Sequence, residues 1–389
     1  VFNFNFYNPT RIIFGKDRLN EIDSLVPAKA KVLVLYGGGS VKNFGTLDKV
    51  KASLGGREVY EFGGIEPNPA YETLLKAIEL VRQNKIDFLL AVGGGSVMDG
   101  TKFVAAAAPY EGETPWDLLE SRNGRPVKIT KAIPLGTVVT LPATGSEMNA
   151  FAVISHKEKK SKLPFSSELV FPQFSILDPT LTYTLPAGQV ANGVIDAFVH
   201  VMEQYLTYPV EGRVQDRMAE GIMQTLIEIG PKTVAEPQDY DARANLVWSA
   251  TVALNGILGA GVPQDWTTHM IGHELTALYG LDHAQTLAVL LPSVMKVRRE
   301  PKKAKLVQYA ERIWRLTEGD EETRIEAAIQ NTRNFFESLG VKTRLSAYGI
   351  GADSIDAIIE QLNIHGRTAL SERRDLTLEI SRQILEGAL

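Results

Sequence analysis

The sequence predicts an α/β domain over residues 1–185 followed by an all-helical domain over 186–389. In the first half, short apolar runs end in glycine-rich turns. Lys31–Tyr36 (KVLVLY) runs into Gly37, Gly38, Gly39 and Ser40, and 86–92 (IDFLLAV) runs into Gly93, Gly94, Gly95 and Ser96. Continuous apolar runs of this kind mark parallel strands buried on both faces. After Leu185-Pro186 the pattern changes to successive segments of helical spacing at 189–207, 212–228, 242–258, 267–279 and 284–299, with further helices beyond Lys302 and no strand between them.

Taken in order, the opening VFNFNFYNPTRIIFG alternates Phe2, Phe4 and Phe6 and carries no basic segment leading into an apolar core, so it reads as a strand and not as a signal peptide. The two strand–glycine units follow. A third apolar run, 132–140, leads into Leu141-Pro142-Ala143-Thr144-Gly145-Ser146-Glu147, and a fourth, Phe174–Leu177, stops at Asp178-Pro179. Pro186 then stands where the first turn of a helix tolerates proline.

Composition narrows the function. With 41 Lys and Arg against 46 Asp and Glu among 389 residues, the net charge of −5 offers no surplus for a phosphate backbone, which argues against nucleic acid as a partner. No apolar run approaches the roughly 20 residues that cross a bilayer, so neither a membrane span nor a membrane partner is expected. The absence of cysteine removes disulfides, thiolate nucleophiles and Cys-ligated metals. A cytoplasmic enzyme or binding protein is the default, and any metal must be held by histidine and carboxylate.

Six histidines occur, and three of them, His269, His273 and His283, fall within fifteen residues. His269 and His273 lie four apart on one helical face, and a bend at Gly280 would return His283 towards them. Asp196 and His200 repeat the four-residue spacing on another apolar helix. A buried carboxylate on such a face requires a charge partner, and a divalent ion is one. Alone, each of these residues reads equally as a hydrogen-bonded core histidine or a surface aspartate; together they predict a metal site formed by Asp196, His200, His269 and His283. His273 is either a further neighbour of the ion or a proton handler beside it. Zinc, iron and other first-row divalent ions suit this donor set.

The turn at Gly93–Ser96, followed by Asp99, is placed to open a helix whose free N–H groups face an anion. The Gly37–Ser40 turn follows the strand where nucleotide enzymes recognise the adenosine ribose. An acidic residue there would accept from a ribose 2′-OH and repel a 2′-phosphate, and none is present. Glycine N–H groups, Ser40 and Lys42 suit that phosphate, which favours NADPH over NADH; the alternative is a plain turn with Lys42 in solvent. In the third loop, Thr140, Leu141, Thr144 and Ser146 line a cofactor, or Ser146 caps a helix. Lys162 closes a polar stretch, 157–162, whose default is a solvated charge run.

Together with NPTRIIFG, GGIEPNP (63–69), GGGSVMDGTK, LPATGSE, LDPTLTYTLP, DAFVH and HMIGHELTALYGLDHAQ, these motifs make the chain resemble, end to end, the iron-containing (group III) metal-dependent alcohol dehydrogenase family. The likeness is strongest to its NADPH-dependent aldehyde reductase and butanol dehydrogenase branch. The resemblance implies a Rossmann-like parallel-sheet nucleotide domain followed by a helical metal domain, an architecture shared with dehydroquinate synthase.

It also implies one divalent metal, iron or zinc, on Asp196, His200, His269 and His283, with His273 beside the nicotinamide of NADP or NAD. His273 and Asp99 are the expected catalytic residues. The cofactor set becomes Gly37, Gly38, Gly39, Ser40, Gly94, Gly95, Ser96, Asp99, Thr140, Leu141, Thr144, Ser146 and Lys162. Phe151 and Asn149 are the expected substrate-pocket residues, with a core position as the alternative for Phe151. The implied reaction interconverts short to medium aldehydes and primary alcohols by hydride transfer, in a homodimer. Two rivals are a metal-dependent lyase resembling dehydroquinate synthase, which would need a basic cluster for an anionic substrate, and a non-catalytic nucleotide sensor.

Overall fold

A computed structural model describes residues 1–120 and 127–389. Contacts divide the chain into two units. One comprises Tyr7–Leu185 with Pro237–Val247, and the other Val1–Phe6, Pro186–Glu236 and Trp248–Leu389. Two short segments, Val1–Phe6 and Pro237–Val247, thus belong to a different unit from their neighbours in sequence.

The first unit is built on a six-stranded parallel sheet. Its strands are β1 (Arg11–Phe14), β2 (Lys31–Tyr36), β3 (Glu58–Phe62), β4 (Phe88–Gly93), β5 (Leu135–Val139) and β8 (Phe174–Leu177), in the order β1-β8-β5-β4-β2-β3. Alternate side chains of each strand serve opposite faces. Leu33, Leu35, Leu89, Ala91 and Leu135 pack with helices α4 (Tyr71–Asn84) and α5 (Gly95–Ala107). Val32, Val34, Phe88, Leu90 and Val92 pack with α1 (Ile22–Leu25), α2 (Ser40–Asn43) and α3 (Thr46–Ser53). Burial on both faces explains why these strands lack polar alternation.

An antiparallel hairpin, β6 (Phe151–His156) with β7 (Ser161–Ser166), was not expected. Residues 157–160 of the polar stretch form its turn, and Ser161 and Lys162 begin β7. Lys157 and Lys159 pair with Glu66 and Glu120, whereas Lys162 is buried and donates to Asn68 Oδ1 at 2.8 Å, so the solvated reading fails for that residue.

Helices α6 (Ala187–Tyr205), α7 (Arg213–Ala235), α9 (Thr267–Tyr279), α10 (His283–Val297), α11 (Lys303–Arg312), α12 (Glu321–Ser338), α13 (Ile355–Ile364) and α14 (Leu378–Gly387) form the second unit, and α8 (Tyr240–Ala253) is divided between the two. The core joining α9, α10, α13 and α14 comprises Ile271, Leu275, Val289, Leu290, Ile358, Leu362 and Ile384.

Three expectations are corrected. The helix read over 242–258 stops at Ala253, because Asn255 turns its side chain onto the Ile257 N–H (3.1 Å) and Gly256 takes φ +96°. Phe2, Phe4 and Phe6 form no strand: the Phe2 N–H bonds Gly261 O, and without a ladder partner their alternation has nothing to register against. The helical half does contain strands, the two-residue β9 (Ala369–Leu370) and β10 (Leu376–Thr377), paired antiparallel.

Candidate active site

In the helical unit, α6 projects Asp196 and His200 from one face, one turn apart, both buried. Helix α9 supplies His269 and ends at Gly280, which adopts φ +71°, a backbone conformation natural to glycine. The chain reverses over 280–282, the Asp282 N–H bonds the Gln285 side chain at 3.1 Å, and α10 begins on His283. The expected bend is the device that brings the third imidazole home.

The Nε2 atoms of His200, His269 and His283 lie 3.5, 3.8 and 3.5 Å from Asp196 Oδ1, and one donor atom from each of the four residues lies within 4.8 Å of all the others. Four donors around one tetrahedral ion at zinc–nitrogen distances stand about 3.4 Å apart, so the separations suit ligation. They are too long for hydrogen bonds. Asp196 Oδ1 and His269 Nε2 are buried and make none. The residues present therefore fit a divalent cation. His273 sits one turn beyond His269, its ring 5.7 Å from that of His283 and 6.5 Å from that of His269, outside the set of four.

Electrostatics follow from crowding. Burial alone would raise Asp196, but His200 and the other imidazoles hold it well below the usual carboxylate range. Burial drives His200 down to about 4 against the pull of Asp196, and His269 pushes the same way. His269 moves oppositely, up to about 9, because Glu203 and Asp196 outweigh its burial. Exposure is uneven: the side chains of Asp196, His200 and His269 are 3%, 4% and 7% exposed, and that of His283 is 24% exposed.

In the α/β unit, Gly37–Ser40 follows β2 and opens α2, and Gly94 and Gly95 open α5 with no side chain capping its first turn. The α5 turn is closed tightly against the third loop. A Cβ on Gly94 would stand 2.9 Å from Leu141 Cβ, and one on Gly95 2.4 Å from Thr144 Cγ2. Ser96 Oγ accepts from the Asn68 N–H at 3.1 Å, and Thr140 N bonds Gly93 O at 2.9 Å.

Three expected site residues make hydrogen bonds that support the loop. Asp99 accepts from Ser146 Oγ at 2.6 Å and from the Val153 N–H at 2.9 Å, which occupies both carboxylate oxygens in holding the loop to β6. Ser146 is buried and also accepts from Lys102 Nζ at 2.8 Å. Asn149, buried too, donates to Gly145 O and accepts from Lys102 and the Phe151 N–H, so it tethers the loop. Phe151 is 51% exposed and is no core residue.

Lys102, which the sequence reading passed over, binds this group together. Its Nζ meets Ser146 Oγ, Asn149 Oδ1 and Phe151 O at 2.8, 3.0 and 2.8 Å. Burial lowers it to about 8, and the same burial raises Asp99. Its place three residues after Asp99 on α5 was the available signal. Glu203, also passed over, stands three residues after His200 and accepts from the Thr268 N–H at 2.6 Å.

A parallel sheet with glycine turns at its strand ends, and a helical unit gathering one aspartate and three histidines around one centre, define a metal-dependent nucleotide enzyme. Residues 9–179 match the iron-containing alcohol dehydrogenase family and residues 190–389 the C-terminal part of the Fe-containing alcohol dehydrogenase family. The chain belongs to the iron-containing alcohol dehydrogenases. It is 59% identical to the NADPH-dependent aldehyde reductase YqhD of Escherichia coli K12, over 99% of both chains. To a probable NADH-dependent butanol dehydrogenase 1 of Bacillus subtilis it is 39% identical over 100% of both. The crystal structure of E. coli K-12 YqhD superposes with a TM-score of 0.98, covering 100% of this chain and 99% of that one, at 59% identity.

Proposed function

We propose that this oxidoreductase is an NADPH-preferring aldehyde reductase that interconverts short to medium aldehydes and primary alcohols. One observation carries the reading: Asp196, His200, His269 and His283 converge within 4.8 Å, and buried donor atoms among them lack hydrogen-bond partners. When bound, a divalent ion supplies positive charge against the substrate's carbonyl oxygen, and reduced nicotinamide supplies the hydride.

The chain's own residues do the rest. Asp196 and the three imidazoles fix the position of that charge. His273, buried and one turn along α9, is the group we assign to deliver a proton towards the product oxygen, directly or through water. The uncapped first turn of α5 takes the pyrophosphate, flanked by Ser96, Thr140 and Thr144. Lys162, buried beside Asn68, supports the cofactor from β7. Asp99 carries no proton-transfer role in this scheme, since both its oxygens hold the loop.

The relatives divide between NADPH and NADH, so family membership alone leaves the coenzyme open. The preference for NADPH rests on Gly37–Ser40, where no carboxylate would repel a 2′-phosphate and a Cβ on Gly38 or Gly39 would meet nothing within 4 Å. We further propose a homodimer assembled through Phe2, Phe4 and Phe6, which are 46–52% exposed, and a cytoplasmic location. No described helix is long and apolar enough to cross a membrane.

Elemental analysis of the purified protein, alongside oxidation of NADPH and NADH with a panel of short aldehydes, tests the proposal. One divalent ion per chain and faster turnover with NADPH are expected. Full activity after exhaustive chelation would overturn it, and a lyase or a sensor would leave NADPH unoxidised.

A further inference from the structure

Helix α6 carries a third buried ionisable residue on the face that bears Asp196 and His200. Glu203, 4% exposed, reaches across to the start of α9. One carboxylate oxygen, Oε1, accepts from the backbone N–H groups of Thr268 and His269 at 2.6 and 3.3 Å. Those groups belong to the first turn of α9, whose Thr267 N–H is met by Asp265 Oδ1 at 3.0 Å, so Glu203 completes the closure of α9 from a neighbouring helix. The other oxygen, Oε2, binds His269 Nδ1. The backbone is tied as well, since the Asp265 N–H bonds Glu203 O at 2.8 Å.

Resting on the metal reading above, we propose that Glu203 is the positioning residue of the metal centre: it holds His269 as the Nδ1–H tautomer with the Nε2 lone pair directed at the ion, and it supplies the second negative charge that neutralises a divalent cation. A carboxylate acts as a pure acceptor at both oxygens, which is what two backbone N–H groups and an Nδ1–H require. The charge count closes on the same residue: Asp196 and Glu203 are the two carboxylates on this α6 face, and with three neutral imidazoles they balance one doubly charged ion inside the buried cluster.

Glutamine at this position makes the sharpest test. Its single amide oxygen must serve the Thr268 and His269 N–H groups, which leaves the NH2 facing Nδ1. That forces His269 into the opposite tautomer, with a proton on Nε2 pointing at the ion. Cobalt affinity of Glu203→Gln, measured by chelator competition against wild type, should fall about 10- to 100-fold, with an altered visible cobalt spectrum and an unchanged apo melting curve. Affinity within twofold of wild type and an unshifted spectrum would overturn the proposal.

If the variant fails to fold, ¹⁵N-histidine NMR of the zinc-loaded wild type decides. A hydrogen-bonded proton on Nδ1 of His269 is expected, and an unprotonated Nδ1 rejects the role. Failure of wild type itself to bind cobalt or zinc is a different result: it removes the metal reading and this proposal with it.

Discussion

Two buried ionic clusters, one in each unit, each built around an aspartate, end in opposite states. On α5, Lys102 spends its three ammonium protons on Ser146, Asn149 and Phe151 O, while Asp99 is filled by Ser146 and Val153. On α6 and α9, Asp196 Oδ1 and His269 Nε2 face each other at 3.8 Å with no hydrogen bond. The first cluster is closed by the protein and works as scaffold. The second is held open, and its open atoms share one centre. Burial and charge alone do not mark a binding site; unsatisfied donors that converge do.

Removing a member of the open cluster has the largest expected effect. Replacing His200 or His269 by alanine should abolish both bound metal and turnover, a loss beyond the ~100-fold expected of an outer partner; His273→Ala should keep its metal. Metal analysis of the three proteins checks this, and loss of metal from the His273 variant would enlarge the open cluster.

In the closed cluster the damage should be to stability. Lys102→Met leaves Asp99 buried without its cation and should cost about 3–5 kcal/mol in chemical denaturation while metal content is unchanged. Its pH dependence has a definite sign. The folded lysine releases its proton near 8 and the unfolded one near 10.5, so within that window the unfolded chain binds more protons and wild-type stability should rise with pH. The rise is limited to about 1.4 kcal/mol per pH unit, is absent below pH 8, and should vanish from the Lys102→Met profile.

Two smaller effects test whether coenzyme and substrate choice in the α/β unit lie outside its closed cluster. Gly38→Asp has space for its side chain and should raise KM for NADPH by about 10-fold, with little change for NADH. Phe151→Gly should shift the aldehyde profile towards longer chains by a few-fold in kcat/KM, about what one or two methylenes are worth. An unchanged profile would return Phe151 to a surface role.

Where periodicity and burial coincide, the sequence was legible. β2 and β4 read directly because both faces are buried, and Asp196, His200, His269 and His283 read as a set because helical spacing and one glycine break encode their convergence. Partners supplied from far along the chain did not read. The β6–β7 hairpin is short and half-exposed, so its polar turn looked like a charge run. Asn149 and Ser146 looked like lining residues because nothing local reveals that Lys102, on another element, consumes their oxygens. Glu203 lay in plain view on the α6 face, but its task depends on the start of α9, some 65 residues on.

The unequal exposure of the four donors has a kinetic consequence. Three are sealed among packed helices, while His283 stands at the end of a three-residue reversal, 280–282, with a quarter of its side chain in solvent. Of the four residues that would hold the ion, His283 is the one an ion entering from solvent would reach before the buried three. Stiffening or loosening residues 280–282 should therefore retune metal exchange rates while leaving equilibrium affinity nearly where it was, which stopped-flow chelator kinetics would check.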